Sequence, residues 1–238
     1  MAIGAPANSG FSSGEFRPSV IASRATRKSV EARYFFWKRA TDIVIAAALL
    51  LALSPVMLVV ALAVALTTPG PVLFRQRRVG KDSEEFEMLK FRSMRHNCDS
   101  GTHLEAIKNY MAGEKLDATS DSRTPYKLAN DTRITPVGRI IRKTSLDELP
   151  QLWNVLMGQM SMVGPRPPIP YEVERYSSRS MERLRGKPGI TGPWQVYGRN
   201  SVTFAQMVEM DIAYLENRSI LYDLKLIALT IPALIRGA

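Results

Sequence analysis

The sequence predicts a mostly helical α+β chain, with a re-entrant membrane helix hairpin joined to a small cytosolic helical core that carries one short β-hairpin and interfacial helices. Three observations predict it. Ile43–Leu66 is apolar at every position except Ser54. Two strand-like runs enclose a polar turn soon after it, and helical periodicity dominates from Asp147 to the end. At 238 residues the chain has the length of one ordinary domain with a real core, and it shows no internal repeat.

Residues 1–30 are rich in Ser, Ala, Gly and Pro, lack hydrophobic periodicity and read as a disordered basic tail. From Arg24 to Arg39 six basic residues face one acid, Glu31, and Tyr34-Phe35-Phe36-Trp37 lies among them. Cationic heads beside amphipathic rings suit the headgroup layer of a membrane. Residues 31–70 are therefore read as a membrane helix with an interfacial flank, and 71–238 as a domain in or against the cytosol.

As a straight helix Ile43–Leu66 would reach roughly 36 Å, enough to cross a bilayer. Two features favour a bend instead. Ser54-Pro55 sits at its centre; proline removes a helix hydrogen bond, and the serine hydroxyl can serve a carbonyl so freed. Both flanks are also basic, Lys38 and Arg39 before and Arg75, Arg77, Arg78 and Lys81 after, so the positive-inside tendency puts both ends in the cytoplasm. A hairpin entering and leaving one leaflet fits both facts, and a straight span remains the alternative. The segment lies too far from the N-terminus and is too long for a cleaved signal peptide.

After Pro69-Gly70-Pro71, Val72–Arg78 and Glu85–Arg92 read as two strands around Gly80-Lys81-Asp82. Residues 97–133 are polar and read as a mobile excursion. His96, Cys98, Asp99 and His103 fall near its start, but they lack a second ligand group at a recognised spacing and are read as loop. Cys98 is the single cysteine; it excludes an intrachain disulfide and suits the reducing cytosol. Helical patterning returns from Asp147 and from Ile169 to Arg185, then resumes after the Gly/Pro-rich 187–200 stretch. The apolar run Leu226–Ile235 is too short to span and is expected on the membrane surface or against the core.

The net charge of +10 and pI near 9.9 call for an anionic partner: nucleic acid, lipid headgroups or a phosphorylated substrate. The densest chemistry is Arg139–Pro167. Leu149, Leu152, Trp153 and Leu156 follow helical spacing and predict a buried face. Ser145 and Glu148 have capping-box spacing, Asp147 and Glu148 complement a helix dipole, and Pro150 suits a first turn. Simple capping is thus one reading. The other starts from Arg139, Arg142, Lys143 and Arg166. Carboxylates at a helix start amid arginines can form a phosphate site, hold a hard cation such as Mg²⁺, or attack a phosphoryl group.

Lys90-Phe91-Arg92-Ser93-Met94, Arg142 through Gln151, Val163-Gly164-Pro165-Arg166-Pro167, Lys187-Pro188-Gly189-Ile190-Thr191-Gly192 and Gly198-Arg199-Asn200 follow one another in this order. Together they resemble the bacterial sugar transferases, the monotopic polyprenol-phosphate phosphoglycosyl transferases of the short, catalytic-core type. The resemblance runs from about Lys38 to the C-terminus. It implies a re-entrant helix kinked at Ser54-Pro55 and a catalytic domain over 71–238. It also implies Mg²⁺ dependence and a two-step transfer from a UDP-sugar to a polyprenyl phosphate such as undecaprenyl phosphate, releasing UMP and priming exopolysaccharide or glycoconjugate synthesis. Matched residue by residue, Asp147 is the nucleophile and Glu148 its partner, with the metal on Glu148 and Asp147. Arg142 and Arg166 match phosphate-binding arginines, while Lys90 and Arg92 contact phosphate or lipid headgroups. Arg199 and Asp223 match recurrent positions. The expected partners are UDP-sugar, polyprenyl phosphate and membrane lipid, with no nucleic acid and with homo-oligomerisation left open. The expected place is the bacterial inner membrane, with active site and both termini on the cytoplasmic face. The polar 97–133 stretch exceeds that of the smallest members, so glucose or galactose is an expectation from the exopolysaccharide-priming kind only. The rival reading is a membrane-tethered binding protein, whose basic face would need neither the Ser-Pro break nor the Arg/Asp/Glu/Arg set.

Overall fold

The computed structural model describes residues 18–95, 101–112, 131–198 and 202–236. Among the described residues the protein is mostly helical, with two small sheets and one long apolar helix. Helix α1 (Pro18–Thr67) begins inside the stretch read as a tail and runs through Pro55 without a break in its assignment. The freed carbonyl is served as the residues suggest: Ser54 Oγ donates to Leu51 O at 2.8 Å, the oxygen four residues before Pro55 that its missing N–H would have paired. Within α1 the buried positions Ala46, Val60 and Val64 face the globular part, whereas Leu51, Ser54, Pro55 and Val56 at the middle are exposed.

Strands β1 (Leu73–Val79) and β2 (Glu85–Phe91) form the expected antiparallel hairpin, with Leu73 opposite Phe91 and Val79 opposite Glu85. Its turn places Asp82 and Ser83 at positive φ, and asparagine-like side chains tolerate that region best. Helix α2 (Gly101–Met111) gives regular structure to part of the stretch read as an excursion. It is docked by Tyr110, whose hydroxyl donates to Val202 O and whose ring meets Phe204 edge-on. Residues 97–100 and 113–130 of that stretch, with Cys98 and Asp99, lie outside the described residues, as does His96.

Helix α3 (Pro136–Lys143) starts where Thr135 accepts from Gly138 N–H and Pro136 supplies a preset φ, and it ends on Arg142 and Lys143. Helix α4 (Gln151–Leu156) is only six residues long and depends on outside partners. Arg39 donates to its last carbonyls, Val155 O and Leu156 O, at 2.6 and 2.7 Å. Asn154 takes Leu89 N–H and gives to Glu87 O, fixing α4 on β2. Its buried face is Gln151, Leu152, Asn154 and Val155, while Trp153 points outward. This corrects the expectation of a buried tryptophan: docking through Asn154 turns that face away from the core.

Strand β3 (Ser161–Val163) leads into α5 (Pro170–Val173), α6 (Ser178–Met181) and a 3-10 turn at Glu182–Arg185, so the continuous helix expected over 169–185 is broken into short turns. Strand β4 (Gly189–Thr191) pairs parallel with β3, and one π turn follows at Trp194–Gly198. Gly164 and Gly189 let the two segments approach so closely that a Cβ on either would strike the other's backbone. Helix α7 (Phe204–Asn217) opens with a reciprocal capping box between Thr203 and Gln206. Helix α8 (Ile220–Arg236) closes the fold. The main core gathers Ala46, Met88, Leu152, Val155, Met160 and Leu226, so α1, β2, α4 and α8 share one interior. A second cluster joins Val60 and Val64 to Phe91 and Ile141.

Candidate active site

Four segments bring polar groups to one cavity of about 310 Å³. The first is the turn between α3 and α4. Ser145 adopts a left-handed conformation, φ 59° and ψ 16°, and throws the chain into a 3-10 turn at Leu146–Glu148. The capping-box expectation fails there, because the Ser145 side chain makes no capping bond and Glu148 is engaged elsewhere. A non-glycine residue held at positive φ is uncommon and marks a conformation the surroundings impose. It leaves Asp147 7% exposed and sets both Asp147 and Glu148 on the cavity.

The second segment is β2. Lys90 Nζ lies 2.9 Å from Glu148 Oε1. Burial lowers the Lys90 pKa below the ordinary lysine value; Glu148 pulls it back up, and Arg166 pushes it further down. The third is the loop after β3, which brings Arg166 Nη1 within 3.8 Å of the same Glu148 oxygen. The fourth is the end of α3, which contributes Arg142. The charged lining of the cavity is thus two carboxylates and two guanidinium groups, with Lys90 ion-paired to Glu148.

The rest of the lining is largely apolar. Leu49 of α1, Leu152 of α4 and Ile227, Ile231 and Leu234 of α8 supply much of it. Thr191, Thr230 and Gln195 form a small polar island in it: the two threonine hydroxyls lie 2.7 Å apart, and Gln195 Nε2 donates to Ile190 O. Such a lining can hold an anion with its guanidiniums, present a carboxylate to it, and take an apolar chain against its aliphatic side chains.

The sequence model of the bacterial sugar transferases matches residues 33–237. The chain belongs to this family. It is 44% identical over 196 residues to the exopolysaccharide production protein ExoY of Sinorhizobium fredii (strain NBRC 101917 / NGR234), across 82% of this chain and 84% of that one. It is 42% identical over 201 residues to the undecaprenyl-phosphate galactose phosphotransferase of Salmonella typhimurium, covering 84% of this chain and 41% of that protein. A 41% identity over 202 residues links it to the UDP-glucose:undecaprenyl-phosphate glucose-1-phosphate transferase of Escherichia coli K12, covering 82% of this chain and 39% of that protein.

In this sugar transferase the sequence-predicted residues separate into groups. Asp147, Glu148, Arg142 and Arg166 line one cavity, and Lys90 is ion-paired to Glu148 at its edge. Arg92 points elsewhere: its guanidinium donates to Pro69 O and Thr68 O, closing the C-terminal end of α1. In the structure Arg92 is thus engaged at the end of α1 and is not among the cavity-lining residues. Asp223 is likewise away from the cavity wall. It is buried, accepts from Tyr214 Oη at 2.7 Å and lies 3.3 Å from Lys38 Nζ. Arg199 lies outside the described residues.

Sequence reasoning missed Asn154, Arg39 and the Thr191/Thr230/Gln195 island. Asn154 did carry a signal, a lone amide between apolar neighbours in Leu152-Trp153-Asn154-Val155-Leu156. Arg39 was hidden in the basic run, where a headgroup contact accounts equally well for its charge. The donor set in the charged lining fits a small divalent cation. It offers two hard carboxylates beside phosphate-binding guanidiniums, with no thiol or imidazole among the cavity-lining residues. No group of three or more His, Cys, Asp or Glu gathers among the described residues.

Proposed function

We propose that this chain transfers a sugar 1-phosphate from a UDP-sugar to undecaprenyl or a related polyprenyl phosphate, by a covalent route through Asp147, and so primes exopolysaccharide or glycoconjugate synthesis. The observation that carries the proposal is the mixed lining of one cavity: Asp147, Glu148, Arg142 and Arg166 share it with apolar side chains of α1, α4 and α8. That combination matches an acceptor with a phosphate head and a hydrocarbon tail. The names of the relatives point to the same donor and acceptor classes.

The steps balance as follows. A carboxylate oxygen of Asp147 attacks the phosphorus that bears the sugar. The bond from that phosphorus to the bridging oxygen breaks, and UMP leaves with the electron pair. A phosphate oxygen of the lipid then attacks the same phosphorus, the bond to Asp147 breaks, and the lipid diphosphosugar departs with the carboxylate restored. Arg142 and Arg166 hold the phosphate oxygens by forked hydrogen bonds and neutralise charge as it builds. Lys90 holds Glu148 in place beside Asp147. Mg²⁺, held by Glu148 and Asp147, would neutralise phosphate charge and orient the diphosphate.

The re-entrant reading of α1 draws support from its anchorage. Arg39 before the apolar segment is bonded to α4, and the carbonyls of Thr68 and Pro69 after it are bonded to Arg92 of the same globular part. A helix crossing a bilayer would separate these ends by its thickness. The exposed Leu51–Val56 stretch then forms the apex in the lipid, and both termini stay cytoplasmic.

A panel of UDP-sugars with undecaprenyl phosphate and Mg²⁺, read by UMP release and by the mass of the lipid product, tests the activity. Glucose or galactose is the expected sugar. Lipid-dependent UMP release from none of the panel would refute the reading. For topology, single cysteines replacing Gly10 and Arg236 in a Cys98→Ser background should both escape an impermeant reagent in intact cells, and labelling of one alone would mark a straight span.

A further inference from the structure

The loop that carries Arg166 cannot organise itself. In Gly164-Pro165-Arg166-Pro167-Pro168 three of five residues lack an N–H, so its shape must come from donors outside it. Each of four successive carbonyls has one. Gly189 N–H gives to Pro165 O at 2.9 Å, Arg183 Nη2 to Arg166 O at 3.2 Å, Arg78 Nη1 to Pro167 O at 2.8 Å and Val79 N–H to Pro168 O at 2.9 Å.

Arg183 is the donor on Arg166 itself, and it is held unusually well. It is 2% exposed and Asp211 0%. Its Nη2 lies 2.6 Å from Asp211 Oδ2, and its Nη1 donates to Tyr176 Oη at 2.9 Å. A fully buried ion pair is a poor device for stability alone, because well-packed apolar side chains of similar volume do as well or better. Here Asp211 Oδ1 has no hydrogen-bond partner among the described residues, which adds to the cost. What the pair supplies is a guanidinium fixed in direction, with one nitrogen on the acid and on the Arg166 carbonyl together. Lysine, a point charge, could serve Asp211 but not all three acceptors.

We propose that the Arg183–Asp211 pair is a positioning device for Arg166. Held by Asp211 and Tyr176, Arg183 fixes the Arg166 backbone, and this aims the Arg166 guanidinium at the phosphates in the cavity. Neither member of the pair lines that cavity. The inference rests on the proposed role of Arg166 as a phosphate ligand.

A double-mutant cycle separates the two claims. UDP-sugar KM and kcat are measured with undecaprenyl phosphate for wild type, Arg183→Lys, Arg166→Lys and the double variant, with melting temperatures alongside. Arg183→Lys keeps the ion pair and should fold, yet raise the donor KM about fivefold to tenfold, within the coupling range of residues sharing a network. In the Arg166→Lys background the same change should cost less than about twofold. Tyr176→Phe leaves the ion pair intact and should show the same dependence on Arg166 at about twofold; it decides the question if Arg183→Lys does not fold. Equal losses in both backgrounds, or wild-type kinetics for Arg183→Lys, would overturn the positioning role while leaving Arg166 as a ligand. If Arg166→Lys alone leaves the donor KM and kcat unchanged, the reading of Arg166 fails and the inference falls with it.

Discussion

Where α1 meets α8, Lys38 lies 2.8 Å from Asp42 and 3.3 Å from Asp223; at the cavity, Lys90 lies 2.9 Å and Arg166 3.8 Å from Glu148, next to Asp147. Both clusters set cations against carboxylates and both are largely withdrawn from water, but they are finished differently. At the junction Asp42 also accepts Met162 N–H and Asp223 accepts the Tyr214 hydroxyl, and all three charged side chains are buried. At the cavity both carboxylates line an open space that also holds Arg142 and Arg166. The first cluster uses its hydrogen-bonding capacity to join helix α1 to strand β3 and helices α7 and α8. The second keeps acids and guanidiniums facing a volume that a substrate can enter. A buried charge network therefore marks function only when it borders such a volume.

The sharpest way to break this comparison is to change one carboxylate to its amide in each cluster. Asp147→Asn keeps size and hydrogen bonding but removes the nucleophile, so transfer should fall by on the order of 10³-fold or more with the melting temperature nearly unchanged. Asp223→Asn should do the reverse. Lys38 loses one of two counterions, costing roughly 3 kcal/mol, the low end for a broken buried pair because Asp42 remains. That corresponds to a fall in Tm of roughly 6–12 °C for a chain of this size, with activity per folded molecule retained. A transferase dead at Asp223 but unchanged in stability would erase the distinction.

A smaller effect sharpens it. Arg166→Lys keeps the charge near Glu148 and loses the fork, so turnover or donor affinity should drop about tenfold, or about 1.4 kcal/mol. The same exchange at Arg92, which caps α1, should cost stability and leave the donor KM alone; measuring both variants for melting and for kinetics checks each half. The smallest effect concerns pH. Burial pushes the Asp211 carboxyl up to about 6, against the pull of Arg183. Between the ordinary carboxylate value and that pH the folded chain holds more protons than the unfolded one, so this group makes stability decline as pH rises through the window. Asp211→Asn should remove that part of the slope in melting curves taken from about pH 4 to 7, and an unchanged slope would mean that Asp211 is ionised throughout.

Much of this was legible in the sequence where local chemistry decides structure. The β-hairpin was readable to within a residue because alternation and a Gly-Lys-Asp turn are short-range signals. The pairing of Ser54 with a carbonyl freed by Pro55 follows from two adjacent residues. The grouping of Arg142, Asp147, Glu148 and Arg166 was visible as a motif, although Ser145–Glu148 spacing misled, since a capping box requires β-region angles at its first residue and Ser145 is left-handed. What could not be read depends on long-range contacts. Asp223 carries no local sign of its burial, which comes from Lys38, more than a hundred residues away, and from Tyr214. Arg92 reads as a surface cation until the end of α1 comes to meet it. The parallel pairing of β3 with β4 joins three-residue strands too short to carry a periodicity.

The central claim is that Asp147 carries the sugar phosphate, and intact-protein mass spectrometry of the enzyme held with UDP-sugar and Mg²⁺ but without lipid tests it most directly. The account predicts a gain of one sugar phosphate, located on the peptide containing Asp147. Undecaprenyl phosphate should discharge it, and it should be absent from Asp147→Asn, while Glu148→Gln should retain a trace because the nucleophile is intact. An active enzyme that never carries the adduct under trapping conditions, or an Asp147→Asn variant that still transfers, would contradict it and leave direct transfer between two bound substrates as the mechanism.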